Sequence, residues 1–183
     1  QYATIARKAL DDSGYPQVPI ITTGEDKKGM HPGLKLGLSF QWRMLWAILV
    51  GDALDGMARR VRPYEREAGA TDAAHHKALY EVRDGFDKGI SAVLKRFRTA
   101  VEEFNRIEVV EGPRKPRVFV IGEILLNYHP KSNAFIEEYL EKNGMEVVMP
   151  PMIDVFKKDA ATVRESMRRF HVRLPFLEAI QTI

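Results

Sequence analysis

The stretch "VFVIGEILLNYHPKSNAFIEEYLEKNGMEVVMPP", Val118–Pro151, decides how this chain is read. Val118–Ile121 is a short apolar run rich in β-branched residues, which suits a buried strand. Gly122 and Glu123 end it, and a polar loop follows with Asn127, Tyr128, His129 and Asn133. From Ser132 to Asn143 the apolar residues Phe135, Ile136, Tyr139 and Leu140 recur at helical spacing, and Gly144 is a natural stop. Met145–Met149 forms a second apolar run, closed by Pro150 and Pro151. Strand, crossover helix and strand in this order make a βαβ unit, whose two strands run parallel. The fold class expected is therefore α/β, a layered parallel sheet with βαβ units and a long helical insertion.

The loop between those strands is also where chemistry is expected. In open α/β sheets ligands bind beyond the C-terminal ends of parallel strands, where helix N-termini converge. Glu123 stands at a strand end, where a carboxylate can act as acid, base or hydrogen-bond acceptor. Gly122, Glu123, Asn127, Tyr128, His129 and Asn133 thus line a candidate crevice. A plainer account of the same residues stands beside it. His129-Pro130 makes a turn, Ser132 caps the helix and Asn133 serves its first turn. The loop reads as a scaffold turn beside a crevice, with no catalytic residue assigned.

Upstream, Ile5, Ala6, Ala9 and Leu10 share one helical face, and "QVPIITTG" reads as a strand with Val18, Ile20 and Ile21. Pro19 confines that strand to an edge or a first position. A glycine-rich loop leads to a helix from about Ser39 to Arg60, whose wide stripe through Trp42, Leu45, Trp46, Leu49, Val50, Ala53, Leu54 and Met57 predicts that it is largely buried. Pro63 breaks it. A further helix is expected from Thr71 or Asp72 to Asn105 or Ile107. Its pairs Leu79/Ile90, Val82/Val93 and Phe86/Phe97 are each eleven residues apart, about 3.67 per turn if one straight helix of roughly 50 Å carries them. "EGPRKPR" is a linker, and a last helix is expected from Asp159 to Val172. Residues 1–33 and 111–183 form the α/β part of one domain, and residues 34–110 its helical insertion.

Composition narrows the function classes. With 183 residues, 45% of them hydrophobic, a core can form without staples. Cysteine is absent, which excludes disulfides, thiolate catalysis and cysteine-held metal in this chain. "MLWAILV", Met44–Val50, is far shorter than the ~20 residues of a membrane span, so no membrane association is expected and the location expected is cytoplasmic. The five histidines, His31, His75, His76, His129 and His171, show no metal-binding spacing, and adjacent His75 and His76 point apart on a helix. Arginine clusters occur in "ARRVRPYER", "LKRFR", "PRKPR" and "RESMRRFHVR". A net charge of +3 is too weak alone to imply nucleic acid, and solvated helix faces and linkers explain most of these clusters. Neither GxxxxGK[ST] nor GxGxxG is present.

Taken in order, Gly122-Glu123, Tyr128-His129-Pro130, Ser132-Asn133, Glu141 to Gly144 and Pro150-Pro151 resemble a pattern of one family. It is that of the large activators of (R)-2-hydroxyglutaryl-CoA dehydratase, also called CoA-substrate-specific enzyme activases. "QYATIARKALDDSGYPQVPIITTG" is similar to the family's helix and Val-Pro-hydrophobic strand, which lies after a cysteine-bearing stretch. The resemblance covers both ends; residues 34–110 match only as a helix-rich insert.

The resemblance implies a piece of a longer polypeptide, taken from the dehydratase-related region. Iron–sulfur clusters and ATP are expected in the parent protein and no cofactor in this segment, which has no cysteine to hold a cluster. The function expected is a non-catalytic scaffold packing against other domains of the parent and a dehydratase component. Apolar side chains exposed by excision would suit a homodimer. Two alternatives are carried: binding of a small or CoA-type ligand with acid–base chemistry at Glu123/His129, and a nucleic-acid-binding module using the arginine clusters.

Overall fold

A computed structural model describes residues 2–21 and 37–169. Two compact units are distinguished, Gln1–Trp42 and Arg43–Ile183, and the division falls inside a helix.

In the first unit, α1 (Tyr2–Asp12) ends at Gly14, whose φ of 83° turns the chain back. Arg7 bridges the turn. Its guanidinium reaches Asp11 at 3.3 Å and donates to the carbonyls of Pro16 (2.9 Å) and Val18. The strand expected after this point is not formed over residues 18–21. The Val18 carbonyl is occupied by Arg7, and Pro19 has no N–H to give a ladder. The rest of that segment and the glycine-rich loop, with His31, lie outside the described residues.

The second unit contains most of α2 (Leu38–Val61), which buries Val50, Leu54 and Ala58, one face at four-residue spacing. The helix is less buried than its wide stripe predicts, since Met44, Leu45 and Leu49 remain 36–39% exposed. Apolar residues are covered only where α2 meets a helical hairpin. That hairpin replaces the single long helix expected from the eleven-residue spacing. α3 (Ala70–Gly85) stops, a short 3₁₀ turn Phe86–Lys88 reverses the chain, and α4 (Ile90–Phe104) returns. Gly89 has φ 98° and ψ 169°, a conformation closed to most side chains. A Cβ on Gly85 would lie 3.2 Å from the Val93 backbone, so the arms approach closely over a bare Cα. Val82 and Val93 are both buried and share one cluster with Val50, Leu54, Ala58, Ala78, Ala100 and Phe104.

After the hairpin, residues 108–110 lie antiparallel to 64–66, through Arg66 N–H to Glu108 O and Val110 N–H to Tyr64 O, both 2.8 Å. Next come β1 (Arg117–Phe119), α5 (Ile124–Tyr128), α6 (Ile136–Lys142), β2 (Glu146–Val148) and α7 (Ile153–Arg169). The strands pair in parallel, Arg117 with Glu146, Val118 with Val147 and Phe119 with Val148. Leu140, Val147 and Met149 form a small core beneath them with Val118, Val120 and Ile136. Among the described residues the fold is thus mostly helical, and its α/β character rests on this two-stranded parallel sheet.

Two boundaries differ from expectation. α6 starts at Ile136 instead of Ser132, because Ala134 and Phe135 take left-handed backbone (φ 54° and 56°). α7 starts six residues before Asp159, because Asp52 on α2 accepts the Met152 and Ile153 N–H groups at 2.7 and 2.9 Å. His171 and Val172 lie outside the described residues. Among the described residues no helix is long and apolar enough to cross a membrane.

Candidate functional site

The loop that joins β1 to α6 is folded around its own polar side chains. Gly122 lets it turn, since a Cβ there would stand 3.1 Å from both the Leu126 Cβ and the Asn127 Oδ1. Glu123 is extended and precedes α5. Asn127 is buried at 5% exposure, and its Oδ1 has no hydrogen-bond partner among the described residues. The Tyr128 hydroxyl donates to the Pro150 carbonyl at 2.7 Å and so ties α5 to the exit of β2. Burial raises the Tyr128 pKa, and Asp52 and Asp154 add to this against the opposing charge of Arg59. The phenol therefore keeps the proton it donates. His129 Nδ1 lies 3.0 Å from Ser132 Oγ and 3.3 Å from Ser132 N. Asn133 donates to the Leu126 carbonyl at 2.9 Å and accepts from Ile136 N–H at 3.3 Å. Asn133 thus takes the first amide of α6, whose N-cap position is Phe135, whereas Ser132 turns back onto His129.

The structure does not gather these residues on one reacting atom. Glu123 and His129 bracket opposite ends of α5, about 9 Å apart along its axis at ~1.5 Å per residue. Only Asn133, at the loop's far end, lines a larger crevice.

That crevice, of about 750 Å³, is bounded by the 3₁₀ turn Arg62–Tyr64, α3 and α6. Arg62, Asp72, His75, His76, Phe135, Glu137 and Glu141 are on its wall. An ion-pair network runs beneath it. Arg62 reaches Asp72 at 2.8 Å and Glu141 at 3.1 Å. Arg59 meets Glu137 at 2.8 Å and Asp55 at 3.7 Å, and Asp55 lies 2.8 Å from His75 Nε2. Burial would raise the Asp55 carboxyl, but the His75 hydrogen bond and then Arg59 outweigh it and hold the pKa below its ordinary value. Burial likewise opposes the Arg62 charge, yet Glu141 and Asp72 raise its pKa. Glu141 goes the other way. Burial lifts its pKa, Arg62 offsets this only in part because it is shared with Asp72, and Glu137 and Asp72 add repulsion. The 3.1 Å contact still marks the two as partners. Glu65, on the same wall, accepts Gly69 and Thr71 N–H at 2.7 Å each and starts α3.

These carboxylates are engaged with arginines and backbone amides, so they lock α2, α3 and α6 together. The network was legible in part: Arg59 and Arg62 are three apart and Glu137 and Glu141 four apart, each pair on one helical face. Nothing local says that the two faces meet.

A second crevice, about 620 Å³, brings Arg60 beside Arg114 and Arg117, so two of the basic clusters share a wall. Arg117 is paired there with buried Glu146 at 3.1 Å, and Tyr64 also donates to Glu146, at 3.1 Å. Phe97 of the "LKRFR" cluster packs against the helical core. The rings of His75 and His76 are inclined at 71°, and among the described residues no group of three or more His, Cys, Asp or Glu is placed to hold a metal ion. No protein-family model matches this chain, and neither does any curated protein or solved structure.

Proposed function

We propose that this chain is a non-catalytic docking segment of a 2-hydroxyacyl-CoA dehydratase activator-like protein in the cytoplasm. Iron–sulfur clusters and ATP act on other parts of that protein, and no residue of this segment is catalytic. The observation that carries the reading is how the loop's polar atoms are used. Tyr128 is tied to Pro150, His129 to Ser132, and Asn133 to Leu126 and Ile136. Side chains occupied in this way hold a shape. Meanwhile Ile124, Leu125 and Leu126 of α5 stay 43–51% exposed. These half-exposed apolar side chains on α5 offer area for other domains of the parent or for a dehydratase component. In the assembled parent the sheet continues beyond β2 as a layered parallel sheet of βαβ units.

Two measurements test this. The reading frame around this segment is expected to code for cluster-ligating cysteines and an ATPase of the actin/Hsp70 type. In solution the chain is expected to co-elute with an anaerobically purified iron–sulfur dehydratase component, and Leu125→Asp is expected to abolish co-elution. Turnover of a 2-hydroxyacyl-CoA by the chain alone sinks the proposal. So does thermal stabilisation by an acyl-CoA that Glu123→Gln removes, which would identify the loop as an acid–base site.

A further inference from the structure

The two crevices differ in how their cations are used. In the larger one Arg62 is bonded to Asp72 and Glu141, Lys142 to Glu138 and Lys115 to the Pro63 carbonyl. In the smaller one, Arg117 is taken by buried Glu146. The other Glu146 oxygen accepts from the Tyr64 hydroxyl, which itself accepts the Lys115 N–H at 3.0 Å, so these groups satisfy one another. Arg60 and Arg114 remain on that wall, both exposed and neither with a partner among the described residues. A cation in the last turn of α2 suits the helix dipole, which accounts for Arg60 by itself. It does not account for Arg114, which reaches the same space from the segment before β1. That segment is fixed at both ends, because Val110 N–H donates to the Tyr64 carbonyl and Lys115 N–H to the Tyr64 hydroxyl. Apolar surface lies beside the two arginines: Val109 is 44% and Val110 56% exposed, and Val61 and Tyr64 share the wall.

We infer that this crevice binds a small organic anion, with a phosphate or carboxylate head on an apolar body. Two planar guanidiniums that hold no carboxylate match such a head through paired, charge-assisted hydrogen bonds. The open valines and the Tyr64 ring match the body. A volume of about 620 Å³ lies within the roughly 300–1,000 Å³ of small-molecule sites. Glu111 stands on the same wall, also without a partner among the described residues, and opposes an anion. Two arginines outweigh that one carboxylate, and Glu146 is already neutralised by Arg117. A nucleic-acid strand is served less well, since the two cations line one concave space and do not track a backbone. The inference stands apart from the proposed function, which uses the α5 face.

Titration of the 183-residue chain with phenyl phosphate and with phenylacetate, followed by two-dimensional NMR, tests it. At least one of them is expected to bind in the low millimolar range and to shift the amides of Tyr64 and of residues 109–117. Inorganic phosphate, a head without a body, and benzyl alcohol, a body without a head, are expected to bind several-fold more weakly. Arg60→Gln and Arg114→Gln each weaken the aryl anion by roughly threefold or more, and Glu111→Gln strengthens it. Because Arg60 and Arg114 are exposed and make no bond in the fold, both variants are expected to keep the wild-type melting temperature. Arg98→Gln, equally exposed but outside both crevices, leaves the affinity unchanged. The inference is overturned if neither aryl anion shifts these amides, or if benzyl alcohol binds as well. It is also overturned if Arg98→Gln weakens binding as much as the crevice variants do. Oligouridylate that binds through these amides with an affinity growing with its length overturns it in favour of a nucleic-acid surface.

Discussion

The helical part, α2 to α4, and the strand part, β1 to β2, are stabilised to very different degrees. The helices enclose eight buried apolar residues, with Leu54 and Val93 at 0% exposure. The sheet has three, Leu140, Val147 and Met149, of which two are 8% exposed. Parallel strands are normally covered on both faces, yet here Phe119 and Ile121 stand open. The difference teaches that the helices bury enough to hold themselves, whereas the strand part leans on them and on whatever covers its open side. Arginine does the leaning. Arg59 and Arg62 reach from the end of α2 to Glu137 and Glu141 on α6.

The contrast breaks first at Leu54. Leu54→Ala leaves a cavity in the closed cluster and is expected to cost about 2–5 kcal/mol. Val147→Ala, in the small cluster, is expected to cost less, because its neighbours border solvent and relax. Urea unfolding of both variants checks the order. Equal losses would mean the sheet is as well closed as the helices.

Arg62 comes next. Arg62→Met removes its hydrogen bonds to Asp72 and Glu141 and leaves the Glu141 carboxylate, only 11% exposed, without its cation. A loss of about 1.5–3 kcal/mol is expected. The double variant Arg62→Met/Glu141→Met should recover most of it, since no charge is then stranded. Thermal melts of the four proteins of this cycle report the coupling. Additive losses would show that the two parts are not joined through this pair.

How much of this was legible turns on range. The parallel strands follow from two apolar runs flanking one amphipathic segment, all within Val118–Pro151. The hairpin is hidden in the sequence because an eleven-residue spacing fits both one straight helix and two arms. Only the backbone of Gly89, φ 98°, distinguishes them. The first turn of α7 has no local signal because its amides bond to Asp52, a hundred residues away. Of the candidate residues, Gly122 and Asn127 meet at the start of the loop, whereas Tyr128 and Asn133 are held by backbone carbonyls and amides that no side-chain pattern encodes. The arginine network escaped for the same reason, as each half looks like an ordinary solvated helix face.

Acid sharpens the comparison. The Asp55 pKa is held below its ordinary 3.8, so that carboxylate's contribution is complete above 3.8 and is lost as pH falls through its folded value. Glu65, at the start of α3, has the same sign. The Glu141 pKa is raised above 4.5, so Glu141 favours the folded state at low pH and that contribution disappears as pH rises through its folded value. Melting temperature is therefore expected to rise slightly on mild acidification and to fall below about pH 4. Asp55→Asn flattens the lower limb and Glu141→Gln the upper one. A profile unchanged by both variants would contradict these assignments.

The smallest effect concerns left-handed backbone, which the two parts treat differently. The hairpin places glycine at its positive φ, Gly89, whereas the approach to α6 places Ala134 and Phe135 at φ 54° and 56°. A side chain in this region costs about 1–2 kcal/mol per residue. Ala134 is exposed, so Ala134→Gly loses little packing and releases that strain, against about 0.5–1 kcal/mol for the added freedom of the unfolded chain. A net gain of a few tenths of a kcal/mol is expected by this difference. Gly89→Ala runs the exchange backwards and is expected to cost about 1–3 kcal/mol. Opposite signs in paired thermal melts would show that the helices match their backbone while the strand part carries strain. The same sign in both would place the strain elsewhere.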